Sequence, residues 1–409
     1  MKRAQRPVLS SPSEREFSVE KVVIVDGART AVGTFAGSLS ATPNHLLGAA
    51  AMREAVSRSG ISVETVDEVV VGCVGQVGGD AFLARRIALE AGVREDSTAF
   101  TVNRLCGSGL QALQSAAFEL LSGDSRFVVA GGSENMSNQP FMDFDARHGW
   151  RMGNHSLVDG TLSLVTDPFG GYPMGVTAEN VAQQFGISRE DQDQFAALSQ
   201  QRAADAQQRG VFAPEIVGVT VKEKKTERVF DVDEHLRPGT SGEKLARLRP
   251  AFREGGSVTA GNSSGINDAA AMLVMTTESV AQAEGLKPLG ELVSFAKAGV
   301  RPEVMGFAPA LAIPRALDKA GLSLADIDWI ELNEAFAAQA LAVIRDQNLN
   351  MDKTNPLGGA IALGHPVGAT GAILSLRTLY NLRRTGKEFG LVSMCIGGGQ
   401  GVAAIFKAL

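Results

Sequence analysis

The chain has 409 residues, 39 Lys and Arg against 45 Asp and Glu for a formal charge of −6, and is 44% hydrophobic and 21% charged. That length provides for two or three domains, and the acidic balance excludes a protein that coats nucleic acid with a general basic face while leaving anionic small molecules to local arginines. Three cysteines are too few, and odd in number, for a disulfide framework, which points to a reducing, cytoplasmic setting. No apolar run approaches the roughly 20 residues of a membrane span.

Residues 1–19, with Lys2, Arg3, Arg6, Glu14, Arg15 and Glu16, read as a disordered extension, and the glutamates argue against a transit peptide. The first ordered element is the apolar run Lys21-Val22-Val23-Ile24-Val25, of the kind found in sheets covered on both faces. A turn-rich stretch through Gly33, Gly37 and Ser40 leads to a helix over 44–59, a strand over 67–72 and a helix over 81–90. Next, Ala99-Phe100-Thr101-Val102 reads as a strand, and Leu110, Leu113, Ala117 and Leu120 recur at helical spacing. Between them lies Asn103-Arg104-Leu105-Cys106-Gly107-Ser108-Gly109. A strand that delivers Cys106 to a helix N-terminus favours thiolate over thiol through the unpaired N–H groups and the macrodipole, and the flanking glycines admit an acyl group close to the sulfur. A small buried hydrophobe is the competing reading of the same cysteine. A strand over 126–130 follows, and the alternation of β and α implies a parallel-type sheet layered with helices.

The scheme then recurs. The segment from Arg53 through Gly60 to Asp67 lies in register with that from Pro314 through Gly321 to Asp328, an offset of 261 throughout, with Gly, apolar, Ser, apolar shared. Cys106 stands 46 residues after Gly60, and His365 stands 44 after Gly321. Two copies of one α/β unit would bring equivalent strand ends together, and with them Cys106 and His365. His365 sits in the small-residue stretch Gly358 to Gly371, where a neutral imidazole can face a cavity as a base.

Between the copies the texture changes. Ser188-Arg189-Glu190-Asp191 has the form of a capping box for a polar helix reaching about Gly210, and Lys222-Glu223-Lys224-Lys225 reads as a solvated charged edge. The chain thus divides into an N-terminal half over 20–136, an inserted loop domain over 137–255, a return to the N-terminal half over 256–289 and a C-terminal half over 290–409. Arg237, Arg247 and Arg249 precede the glycine-rich Ala260 to Gly265, a combination suited to phosphates as well as to an ordinary surface turn. Asn333-Glu334 interrupts an apolar sequence at a buried strand end, either to orient a ligand or to cap a helix. Cys395 precedes Ile396-Gly397-Gly398-Gly399-Gln400-Gly401, whose backbone N–H groups can converge on an oxyanion. Gly399 to Ala404 also fits G-x-G-x-x-A, but five residues after Ala404 leave no room for the βαβ unit of a dinucleotide site.

These four motifs, Asn103 to Gly109, Asn333 to Ala337, Gly358 to Gly371 and Cys395 to Gly401, occur in the order of the thiolases, and the chain resembles that family over residues 20–409. The resemblance implies the five-layered αβαβα fold with a duplicated core and an inserted loop domain. It further implies that Cys106 is the acylated nucleophile, that His365 takes its proton and that Cys395 moves the proton on the acetyl carbon. Two oxyanion holes follow by the same resemblance, one from His365 and a water held by Asn333, the other from the N–H groups of Cys106 and Gly397. Met174, Arg237, Phe252, Ser263, Ser264 and Phe336 fall where the family meets its substrate. Coenzyme A enters as substrate, with no permanently bound cofactor and no metal, since the thioester acidifies its own α-carbon; the family forms homodimers or homotetramers. A ketoacyl-synthase-type condensing enzyme and an inactive acyl-CoA-binding homologue are the alternatives. The acyl chain length stays open, because Pro173 stands before Met174-Gly175 where acetoacetyl-CoA-type members often carry His.

Overall fold

Strand β1 (Val22–Thr30) sits at the centre of the sheet, and its residues are almost all fully buried. The computed structural model describes residues 20–223 and 226–409, so the extension expected over 1–19, and Lys224 and Lys225, lie outside the described residues. After β1 come helix α1 (Asn44–Ser59), β2 (Glu68–Gly72), α2 (Leu83–Ala91), β3 (Thr98–Val102), α3 (Ser108–Ser122) and β4 (Phe127–Asn135). A middle region carries α4 (Met174–Phe185) and α5 (Arg189–Gln208), and the core resumes with β5 (Asn267–Thr277). The remaining core elements are β6 (Gly290–Gly299), α6 (Pro309–Ala320), β7 (Trp329–Leu332), α7 (Ala337–Gln347), α8 (Thr370–Thr385), β8 (Phe389–Ile396) and β9 (Gln400–Ala408). The first and fourth strands run several residues beyond the expected 21–25 and 126–130, carrying Arg29 and Glu134 inside.

The sheet order is β7-β8-β9-β6-β1-β5-β4-β2-β3. On one side β1, β5 and β4 pair antiparallel in turn, then β4, β2 and β3 pair parallel. On the other side β6, β9 and β8 pair antiparallel, β8 and β7 pair parallel, and Ile330 of β7 bridges Thr354 in parallel. The two halves mirror one another strand for strand and join through an antiparallel contact of β1 with β6, Val23 opposite Glu291 and Ile24 opposite Gly290. The offset of 261 is visible in the backbone: Gly60 and Gly321 end α1 and α6 at φ 76° and 66°, and 3₁₀ turns at Val63–Thr65 and Leu324–Asp326 lead into β2 and β7. Positive φ at a helix C-cap favours glycine, which is why that residue recurs in both copies.

Five layers result. Alternate residues of β4 face opposite ways, Val128 and Ala130 into the core around α3 and α8, Phe127 and Val129 into the core around α1 and α2. Residues of β9 alternate likewise, Val402, Ala404 and Phe406 toward α3 and α8, Ala403 and Ile405 toward α6 and α7. Helices α3 and α8 therefore lie between the two sheet halves, and the strands between layers are largely apolar on both faces. A methyl at Gly109 would lie 2.8 Å from the Ala372 amide nitrogen, and one at Gly371 would collide with the Leu110 backbone. Without Cβ atoms there, the N-termini of α3 and α8 touch backbone to backbone, which sets the loops before them side by side. Among the described residues no helix is long and apolar enough to cross a membrane.

Candidate active site

Cys106 ends a tight turn between β3 and α3. Leu105 adopts φ 47°, a region costly for a residue with a branched side chain, and is held there by its N–H donating to Asn103 Oδ1 at 2.9 Å, while the Arg104 N–H donates to Ser108 Oγ at 2.9 Å. The turn lifts Cys106 clear of the helix, whose N-cap is Gly107. Apolar side chains of Val74, Met136, Leu105, Leu164 and Val367 surround it. Burial pushes the Cys106 thiol up, against the pull of the Gly397 and Cys106 N–H groups, and the nearby Glu134 carboxyl adds to the rise. This runs against the expectation of a thiol acidified by the helix: desolvation outweighs the two N–H contacts, and the resting side chain is a thiol.

His365 lies in the loop between the short helix Ala360–Leu363 and α8 and is almost fully buried. Its backbone N–H donates to Asn267 Oδ1 at 2.9 Å, and Gly364 before it adopts φ 96°. The ring Nδ1 lies 2.7 Å from Thr370 Oγ1, and that hydroxyl donates to Pro366 O at 2.9 Å. With its one proton committed to Pro366, Thr370 accepts from Nδ1–H, so Nε2 carries the lone pair. Asn333 Nδ2 faces that nitrogen at 3.4 Å. Burial lowers the His365 pKa to about 4, so the imidazole is neutral at physiological pH.

Cys395 closes β8 and is fully buried beside Met305, Ala335, Met174 and Phe336. Burial first, and the charge of Cys106 second, raise its pKa strongly, which places the two thiols within electrostatic reach. Three glycines turn the chain from β8 into β9, Gly398 and Gly399 at φ 79° and 85°. Asn333 thus meets His365, and the Gly397 N–H and Cys395 meet Cys106, from three strand ends and one helix-entry loop. G-x-G-x-x-A at 399–404 is antiparallel strand, in agreement with its rejection as a dinucleotide site.

The residues expected to meet substrate divide in two. Met174, at the start of α4, packs beside Cys395, and a methyl at Gly397 would lie 2.8 Å from its Cε. Phe336 stacks edge-on against Phe252 at 6.1 Å and bridges Ser263, while the Ser264 N–H donates to Ala335 O at 3.0 Å. Met174, Phe252, Phe336, Ser263 and Ser264 therefore form one wall near Cys395. Arg237 stands apart: it is exposed, and its backbone N–H donates to Gln200 Oε1 at 2.9 Å. An open cavity of about 500 Å³ lined by Gln200, Gln201, Thr240 and Ser241 lies in that region.

Glu134 and Arg29 escape sequence reasoning, and so does the supporting role of Glu334. Glu134 accepts from the N–H groups of Val74, Gly75 and Gly368 at 2.8 to 3.0 Å and so ties the loop after β2 to the His365 loop; burial raises its pKa to about 7. Glu334 accepts from Ser199 Oγ at 2.6 Å and Asn355 Nδ2 at 2.8 Å, and supports the turn before His365 through Ile361 N–H at 3.3 Å. Further out, Arg29 forms a bidentate pair with Asp233 at 2.8 and 3.0 Å and donates to Glu215 at 2.9 Å, which anchors the middle region to β1. A polar residue inside an apolar strand is the signal that would have found Glu134 and Arg29.

Two family models cover nearly the whole chain: thiolase, N-terminal domain, over residues 22–279, and thiolase, C-terminal domain, over residues 286–408. An acetyl-CoA acetyltransferase of Syntrophomonas wolfei is 48% identical over 394 residues, 95% of this chain and 99% of that protein. A beta-ketothiolase of Cupriavidus necator is 49% identical over 391 residues, with 95% and 99% covered. Among solved structures, the Bacillus anthracis acetyl-CoA acetyltransferase superposes with a TM-score of 0.94 at 43% identity, covering 96% of this chain and 99% of the other. The human mitochondrial 3-ketoacyl-CoA thiolase in complex with CoA gives 0.92 at 40%, covering 96% and 98%.

Proposed function

The chain belongs to the thiolase family, and from that premise we propose that it transfers acyl groups reversibly between CoA thioesters through an acyl-enzyme on Cys106. In the thiolytic direction Cys106 Sγ attacks the ketone carbon of a 3-ketoacyl-CoA while its proton passes to His365 Nε2. The oxyanion so formed is met by preorganised N–H donors, which in a buried site stabilise it far more than water would. Cleavage of the carbon–carbon bond expels the acetyl-CoA enolate, and the Cys395 thiol protonates its carbon. A second CoA passes its thiol proton to the Cys395 thiolate and its sulfur attacks the Cys106 thioester; the tetrahedral adduct collapses to the shortened acyl-CoA, and the departing Cys106 thiolate takes back the proton held by His365. The reverse sequence joins two acetyl-CoA molecules.

The observation that carries this reading is the pairing of two thiols, Cys106 in the turn before α3 and Cys395 before the glycine turn whose Gly397 N–H reaches Cys106, with a histidine whose Nδ1 is tied to Thr370. A thiol that is neutral at rest suits this chemistry: the proton needed by His365 is already present, and charge develops only as the bond forms. A ketoacyl-synthase-type reading gives Cys395 no role. Met174, Phe252, Phe336, Ser263 and Ser264 support the pantetheine arm, and Arg237 beside the open cavity supports the phosphates. We assign the chain to a homo-oligomer, because Phe141, Phe144, Trp150 and Phe169 of the middle region are each more than 60% exposed. All three cysteines are free, which supports a reducing, cytoplasmic setting.

Incubation with acetyl-CoA followed by intact mass and peptide mapping should find one acetyl group, on Cys106. No adduct, or an adduct on Cys73 instead, would overturn the mechanism. Sedimentation of a monomer at micromolar concentration would remove the oligomer assignment.

A further inference from the structure

Two turns along α8 from Thr370, the helix carries an arginine in a place that no part of the mechanism uses. Arg377 is 2% exposed, yet its guanidinium makes no close hydrogen bond to a carboxylate. Nε lies 3.8 Å from Glu215 Oε2 and Nη1 lies 3.9 Å from Glu331 Oε2, too far for either to be a hydrogen bond. The plane lies over the Phe212 ring at 5.1 Å. Nε–H is a buried donor with no protein partner, and Asn333 Oδ1 is a buried acceptor with none either. Both residues line one interior cavity of about 10 Å³, together with Val32, Gly364 and Thr370. That volume holds about one water molecule, and a water needs two to four polar partners to stay.

The rest of the Asn333 amide is already committed. Nδ2 faces His365 Nε2, whose lone pair requires a donor there, so Oδ1 points elsewhere and needs a donor of its own. Resting on the thiolase reading above, we infer that Arg377 is a positioning residue: through one buried water, which accepts from Arg377 Nε–H and donates to Asn333 Oδ1, it fixes the rotamer of the Asn333 amide. The second hydrogen of that water faces Thr370 Oγ1, which has a lone pair left after accepting from His365 Nδ1–H. Arg377 thereby reads out on both ends of the imidazole without touching substrate. The bridge also gives the arginine a reason to lie deep in the helix layer, where a purely electrostatic partner for Glu215 and Glu331 would settle at hydrogen-bonding distance.

The test uses the full-length protein and Arg377→Lys, which keeps the positive charge near Glu215 and Glu331 but has no Nε–H. Crystal structures at a resolution that shows ordered water should find a water within hydrogen-bond distance of Arg377 Nε and Asn333 Oδ1 in the wild type, and that water lost or the amide turned in the variant. Thiolysis kinetics should show kcat lowered about tenfold with KM for CoA changed less than about twofold, the pattern of a misaligned donor and not of lost binding. Val32→Ile, which fills the cavity and spares the ion cluster, should reproduce the kcat loss without a change in the melting temperature. A wild-type structure with no water between the two groups overturns the inference. So does an R377K protein that melts earlier but turns over at the wild-type rate, because Arg377 is then structural only. If the wild type acylates no cysteine, the thiolase reading fails, and the paired structures still decide whether Arg377 sets the Asn333 amide.

Discussion

Replacing Thr370 by valine isolates the tautomer of His365. Valine matches threonine in shape, so the change deletes one acceptor and little else. In the wild type the 2.7 Å contact from Nδ1–H to Thr370 Oγ1 fixes the proton on Nδ1, and the 2.9 Å bond from that hydroxyl to Pro366 O prevents it from acting as a donor to the ring. Valine leaves Nδ1–H buried without a partner, a penalty of about 1–3 kcal/mol. The ring can escape it by moving the proton to Nε2, where the Asn333 amide turns to accept it, but the lone pair then faces an apolar wall. Either outcome removes the base from the side of Cys106, so kcat should fall about 10- to 100-fold at one decade per 1.36 kcal/mol. Acetoacetyl-CoA thiolysis followed by loss of the enolate absorbance measures it, with intact mass reporting slower acetylation of Cys106. T370S, which restores the hydroxyl, should recover most of the rate. A T370V protein with unchanged near-ultraviolet dichroism and kcat within twofold of wild type would refute the tautomer assignment.

Other outcomes follow from the same geometry. Cys395→Ser should still acetylate on Cys106 but lose exchange of the acetyl methyl protons with deuterated water by at least about 100-fold, within the range contributed by a placed acid–base group; exchange at the wild-type rate would remove Cys395 from proton transfer. Alkylation of Cys106 by iodoacetamide should rise with pH without a plateau below about pH 9, because burial lifts the thiol above its ordinary value; a midpoint near pH 7 would restore the helix-acidified thiolate. Asp233→Ala leaves Arg29 uncompensated inside the protein and should cost about 3–5 kcal/mol in urea unfolding. The Asp233 carboxyl is held below its ordinary pKa by Arg29 against the cost of burial. Its contribution is thus present above the unfolded carboxylate value and is lost as pH falls through the lower folded value. The mutant should show a weaker loss of stability below pH 4 than the wild type.

What the sequence discloses and what it withholds separate by distance along the chain. Cys106, His365 and Cys395 stand out as candidates because each sits in a short motif of small residues, and the repeat sets the first two within two residues of equivalent places, 46 after Gly60 and 44 after Gly321. The five layers follow from strands that are apolar on both faces. The withheld part consists of contacts between residues far apart: Glu134 with Gly368 at a separation of 234, Arg29 with Asp233 at 204, His365 with Asn267 at 98. Local pattern carries no record of such partners. The acidity of Cys106 is hidden for the same reason, since a helix N-terminus is a local property while the desolvating side chains of Met136, Leu164 and Val367 come from elsewhere in the chain.

The antiparallel join of β1 to β6, and the place of β9 inside the sheet, also set a schedule for biosynthesis. The last strand made is not an edge but lies between β8 and β6, so the C-terminal half cannot close its centre until nearly the whole chain has left the ribosome. Gly397, whose N–H serves the Cys106 sulfur, is translated 397 − 106 = 291 residues after it. At about 5–20 residues per second that delay is roughly 15 to 60 s. On the mechanism proposed above, a nascent or truncated chain therefore displays Cys106 before His365, Cys395 and the Gly397 N–H exist, and acyl transfer awaits completion of the polypeptide.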